Sequence, residues 1–250
     1  MGSDASQSAK DYWQSVWPNT TVPKPLWDLL QPYSKTHLPI EAEDEKQYWT
    51  LFFEHDLYPR KLMNLGLNKH FDNQPSREQL NTSQPFGAWL RARATERYNL
   101  NEVCGKPPAK GEDKHCASSL KSMADFAISK LGKNIKVVSS TFAQNQDQYI
   151  VEGVNKIGEK AVMCHRLNFE NVVFYCHQVN ATTAYMVPLV APDGTKAKAL
   201  TICHHDTRGM DPDVLYEVLK VKPGTVPVCH FVGNKAIGWV TSESNHPCVV

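Results

Sequence analysis

The 250-residue chain lacks any apolar run long enough to cross a bilayer. Its longest, around Val172 to Cys176 and Ala184 to Val190, fall far short of the roughly 20 residues that a spanning helix requires. An excess of charge of one sign is also lacking. Lys and Arg number 27 against 26 Asp and Glu, and no run of five or six basic residues offers a footprint for phosphates. These absences argue against a membrane span and against nucleic acid as a partner. Met1 to Gln7 show neither a basic n-region nor an apolar h-region, so no signal peptide is visible and the compartment must be argued from other residues. Tandem repeats of whole structural units are absent too. At 41% hydrophobic and 21% charged residues, the composition is that of a globular protein and excludes a collagen, a coiled coil or a wholly disordered chain.

The first hundred residues are rich in aromatics, including Tyr12, Trp13, Trp17, Trp27 and the run Tyr48-Trp49-Thr50-Leu51-Phe52-Phe53. Pro18, Pro23, Pro25, Pro32 and Pro39 interrupt long elements and leave short helical turns such as Pro25 to Leu30. This half is expected to wrap or extend from a core as an irregular segment.

The pattern sharpens from Cys104. Cys104 and Cys116 bracket a polar loop that a disulfide would pin. Leu120, Met123, Ala124, Ala127, Ile128 and Leu131 then recur at helical spacing, with Ser118 as the expected cap and Gly132 as the stop. Strand-like runs follow over Ile135 to Phe142, Tyr149 to Val154, Ala161 to Leu167, Val172 to Val179, Ala184 to Val190, Thr195 to His204, Val226 to Val232 and Ala236 to Thr241. Pro192-Asp193-Gly194 supplies a hairpin turn, and Pro212 to Lys220, capped by Asp211, a second helix. The order predicts an α+β fold with mostly antiparallel strands.

Seven cysteines allow three disulfides and one further thiol, reduced core residues or metal ligands. Four of them stand in Cys-His dipeptides: Cys164-His165, Cys176-His177, Cys203-His204 and Cys229-His230, separated by 10, 25 and 24 residues. Successive side chains of a strand point to opposite faces, so each cysteine parts from its histidine. The simplest arrangement places four thiols in one layer and four imidazoles in another. In an oxidising compartment the thiols make two disulfides, whose pairing the sequence leaves open, and gathered imidazoles hold a transition metal. Structural zinc draws its ligands from turns with Cys or His spaced a few residues apart, whereas imidazoles without thiolate suit copper. The predicted ligands are His165, His177, His204 and His230, with His205 as the alternative in the third motif and one or two copper ions as the cofactor.

The four dipeptides at this spacing resemble the signature of the plant BURP-domain proteins. Tyr48 to Asn64, Lys114 to Met123, Ala184 to Val190 and Leu219 to Phe231 are similar to other segments of that family, and Tyr12 to Leu30 resembles the preface found in its seed-protein members. Tyr58 stands where many members have His. The resemblance implies an N-terminal extension over residues 1–45, one BURP domain over 46–242 and a tail over 243–250. It also implies the secretory pathway, with the apoplast or vacuole as destination, where Asn19, Asn81 and Asn180 would serve as glycosylation sequons.

Some family members have no assigned catalysis and are associated with seeds or cell walls. Others are copper-dependent autocatalytic cyclases that use oxygen to crosslink a core peptide in their own chain. Gln84-Pro85-Phe86-Gly87-Ala88-Trp89 is similar to such a core, within a loop of about residues 73–100 that processing proteases would cut. The plainer reading of the same residues is a Pro-Phe-Gly turn with Trp89 in the core. Gln31-Pro32-Tyr33 also begins like a core but has no nearby downstream aromatic. The resemblance thus implies a copper-dependent peptide cyclase acting on residues 84–89, with a metal-binding seed or wall protein without catalysis as the other reading.

Overall fold

The computed structural model describes residues 2–31, 50–65, 103–143, 146–167 and 172–242. Its elements run α1 (Gly2–Val16), α2 (Lys24–Leu30), β1 (Leu51–Phe53), β2 (Leu62–Asn64), β3 (Glu112–Ala117), α3 (Leu120–Leu131), β4 (Ile135–Val138), β5 (Gln148–Val151), β6 (Asn155–Gly158), β7 (Ala161–Leu167), β8 (Val173–Val179), β9 (Thr182–Val190), β10 (Lys196–His204), α4 (Pro212–Leu219), β11 (Val228–Phe231) and β12 (Ala236–Thr241). Among the described residues, seven strands form one sheet, ordered β1-β11-β10-β9-β5-β2 with β6 also pairing β9, and five form a second, β3-β8-β7-β12-β4. All the described strand pairings are antiparallel, and the α+β expectation holds.

The period of two along each strand sorts the side chains into layers. Met163 of β7, Leu200 and Ile202 of β10, and Ala236 and Val240 of β12 pack together, so these faces of the two sheets meet. The opposite face of the five-stranded sheet, with Val162, Cys164, Phe174, Cys176, Ile237 and Trp239, is covered by helices. From α3 come Leu120, Met123, Ala124 and Ala127; from α1 and α2 come Trp13, Leu26 and Leu29. The outward face of the larger sheet carries a further cluster with Val187, Leu189, Cys203, Cys229 and Phe231.

Local chemistry explains the helix ends. Ser119, rather than Ser118, caps α3: its Oγ accepts from Ser122 N at 3.1 Å, and Gly132 ends the helix at φ 79°. Asp211 caps α4 as expected, accepting from Asp213 N and Val214 N. At the β9–β10 hairpin, Gly194 takes φ 86° and its N–H donates to Ala191 O.

The first thirty residues contain more regular structure than the prolines suggest. Residues 2–16 precede the first of those prolines and form a 15-residue helix. Trp13 anchors it, buried with its ring centroid 6.3 Å from that of Trp239, while Trp17 Nε1 donates to Lys133 O. Arg166, in β7, donates through Nη1 to Leu29 O at 2.8 Å and fastens the end of α2.

The register decides what the sequence left open about the cysteines. Cys164 lies opposite Cys176, and Cys203 opposite Cys229, with Cα separations of 4.0 and 3.9 Å; both pairs are disulfides, as is Cys104–Cys116. The expectation of a single thiol layer is corrected. Each strand pair belongs to a different sheet, so one disulfide lies on the outward face of each and the thiols occupy two layers. Cys248 lies outside the described residues. Peptide mapping without reduction is expected to recover fragments joined as 164–176 and 203–229; any link between the two sets would contradict this register.

Candidate metal centre

The same alternation that turns the cysteines outward turns the histidines inward. Along β7, His165 falls between Met163, which packs in the inter-sheet cluster, and Leu167, which packs under α4; His230 of β11 falls likewise between Val228 and Val232. His177 and His204 complete the level, and all four rings are buried, at 5% exposure or less. Two pairs result. Nε2 of His165 lies 3.2 Å from Nε2 of His177, and Nε2 of His204 lies 3.4 Å from Nε2 of His230. Two nitrogens bound to one ion at about 2.0–2.1 Å and a tetrahedral angle would be about 3.3 Å apart, so each pair has the spacing of two ligands on one metal.

The opposite ring nitrogens are tied to the surrounding protein. His177 Nδ1 donates to Glu112 Oε1 at 2.9 Å, and His230 Nδ1 donates to Phe231 O at 3.0 Å. Thr182 Oγ1 gives its proton to Val179 O and accepts from His204 Nδ1 at 3.3 Å. Each of these bonds places the proton on Nδ1, so the lone pair is on Nε2 and directed at the neighbouring ring.

Charge is disfavoured there. Burial pushes His204 well below the ordinary imidazole range, with His230, His177 and His205 adding to the effect. Burial likewise lowers His230, and although its bond to Phe231 O opposes this, it stands at about 4. At His204 and His230 burial thus favours the neutral form, the protonation state that metal binding needs. Among the described residues, no group of three or more His, Cys, Asp or Glu forms a single cage; the donors stand as pairs.

His205 faces the other way. Its Nε2 lies 3.2 Å from Thr183 Oγ1 and 3.4 Å from Glu54 Oε1, which also accepts from Tyr185 OH. Two predicted sequons, at Asn19 and Asn180, are exposed; Asn81 and the whole of residues 84–89 lie outside the described residues. A cavity of about 10 Å³, room for one water, is lined by Lys110, Glu112, Val179, His204, Asp206 and Met210, and adjoins the imidazole layer.

Glu112 was not among the residues expected from the sequence. It sat in what read as a polar loop, yet it begins β3 and is buried at 6% exposure. Burial raises its carboxyl, but the hydrogen bond from His177, with those from Tyr175 OH and Ala109 N–H, outweighs this and holds it at about 2.

Comparison with known proteins agrees with this architecture. The family model described as "BURP domain" matches residues 50–241. The chain is 56% identical over 257 residues to the "Unknown seed protein USP" of Vicia faba and 55% identical over 258 residues to that plant's "Embryonic abundant protein USP92"; each match covers 100% of this chain and 94% of the relative. To the "BURP domain protein RD22" of Arabidopsis thaliana it is 35% identical over 224 residues, covering 80% of this chain and 57% of that protein. Among the described residues, no helix is long and apolar enough to cross a membrane.

Proposed function

The chain belongs to the BURP-domain family, and from that premise we propose that it is a copper-dependent peptide cyclase whose substrate is the 84–89 segment of its own chain. The observation that carries the metal is the inward pairing of His165 with His177 and of His204 with His230, at separations suited to shared coordination. Imidazole donors without thiolate favour copper, because Cu(II) stands at the head of the divalent affinity series. One or two ions would satisfy the two pairs.

Bound copper would supply a one-electron couple to dioxygen, which takes up the two electrons and two protons released when a hydrogen of Phe86 and a hydrogen of the Trp89 indole are replaced by one bond between them. The protein's own part is to hold and orient. The two sheets bury the imidazoles, the Nδ1 hydrogen bonds keep three of the rings turned inward, and the disulfides clamp the strand pairs that carry them. Proteases would release the product, whose leading Gln84 can close to pyroglutamate. Three disulfides suit the secretory pathway, leading to the apoplast or vacuole. Glycans at the exposed Asn19 and Asn180 would suit it too.

Replacing Trp89 by alanine tests the assignment. With copper and oxygen, the wild-type chain is expected to lose two hydrogens, whereas Trp89→Ala keeps its mass, its copper and its stability. A buried core Trp would instead cost about 3 to 5 kcal/mol on truncation, visible as a lowered urea midpoint. The relatives' names, which describe seed and embryonic proteins, favour one second reading: a metal-binding seed or wall protein without catalysis. A copper-loaded wild type that stays unmodified would establish that reading instead.

A further inference from the structure

We propose that Glu112 is a positioning residue that sets the tautomer of His177 and thereby favours the Cu(II) state at the His165–His177 pair. The inference rests on reading the imidazoles as ligands, but its geometry is independent of any metal. Glu112 Oε1 accepts from His177 Nδ1 at 2.9 Å and from Tyr175 OH at 2.6 Å, while Oε2 accepts from Ala109 N at 2.8 Å. Both oxygens are therefore committed to donors, and the carboxylate is an acceptor at every contact.

An acceptor at this place obliges His177 to keep its proton on Nδ1. Its Nε2 lone pair then points at His165. A ligating histidine whose second nitrogen donates to a carboxylate is oriented by it and made a stronger base. The negative charge also stabilises a doubly charged ion more than a singly charged one in a buried setting.

The support behind Glu112 is itself built. Glu112 N donates to Ala109 O at 3.0 Å, closing a turn within the loop bridged by Cys104–Cys116. Gly111, at φ 79°, accepts through its carbonyl from Asn180 N, which ties the loop to the end of β8. Gly209 backs the same loop: a Cβ there would meet Lys110 O at 2.6 Å, so a side chain would push the loop away. Tyr175 adds a second donor to Oε1, and the charge on Glu112, after burial, raises that phenol above its ordinary range.

The test uses the full chain and has a readout that needs no metal. In nitrogen-resolved NMR of the metal-free wild type at neutral pH, His177 is expected to be protonated at Nδ1 with Nε2 bare. In Glu112→Gln, which keeps the shape but removes the charge and sets an amide N–H₂ against one of the present donors, this preference is expected to weaken. Cu(II) affinity should fall by about 10- to 100-fold, the range for losing a supporting carboxylate, while Cu(I) binding changes less and the copper potential rises. An Nε2–H tautomer in the wild type overturns the proposal, and this measurement decides the matter even if the variant does not fold. So does a folded Glu112→Gln protein with unchanged tautomer, Cu(II) affinity and potential. If the wild type takes up no copper, the copper reading fails while the tautomer still decides whether Glu112 positions His177.

Discussion

Replacing His204 and His230 together by alanine is expected to reduce Cu(II) affinity by more than the roughly 10- to 100-fold that loss of a supporting group costs, because it removes both donors of one pair. Their Nε2 atoms lie 3.4 Å apart, and burial holds both rings neutral. His115→Ala is the matched control. Its ring lies outside the inter-sheet layer, stacked near Phe126 with Nε2 2.7 Å from Ser122 Oγ, and its loss should leave copper binding unchanged. Equilibrium titration against a copper chelator of known affinity reads the difference, with circular dichroism to establish that both variants are folded. Full copper binding by a folded double variant would place the metal elsewhere.

Replacing Cys203 and Cys229 together by alanine is expected to lower stability by about 3 to 4 kcal/mol, since the bridge closes a loop with a sequence separation of 26. The 12-residue separation of Cys164–Cys176 predicts a smaller loss, about 3 kcal/mol on the same chain-entropy account. Both bridges also fill packed positions, Cys203 and Cys229 beside Phe231 and Val187, so some cavity cost is added. Urea unfolding of the copper-free protein measures the change. The folded fraction of the Cys203/Cys229 variant should still take up copper, because those sulfurs lie on the face away from the imidazoles. Loss of copper from the folded variant, with the strand register intact, would point to sulfur as a ligand.

The strands that carry the dipeptides were legible because their apolar runs are bounded by turn residues. Among them β7 matches the expected Ala161 to Leu167 at both ends, and its neighbour β12, which carries no dipeptide, likewise matches Ala236 to Thr241. The opposed directions of Cys and His followed from the strand period alone. Which strands pair did not, because pairing is a long-range choice, and it is pairing that joins Cys164 to Cys176 and divides the thiols between two sheets. β3 was hidden by its composition. Glu-Asp-Lys-His reads as loop, yet it forms an edge strand, where charged residues are at home. Glu112 shared that concealment, since a carboxylate in a polar stretch shows nothing of the histidine it will meet. Helix α1 was obscured differently: Gln7, Ser8, Lys10, Asp11, Gln14 and Ser15 are exposed, and its main buried anchor, Trp13, finds its partner Trp239 more than two hundred residues later.

The most direct measurement is the mass of the peptide carrying Trp89 after the purified chain has been incubated with Cu(II) under air and, in parallel, without oxygen. The account predicts a loss of two hydrogens in the aerobic sample alone, confined to residues 84–89 and absent from the His204→Ala/His230→Ala variant. An unchanged mass in a chain shown to hold copper would contradict it.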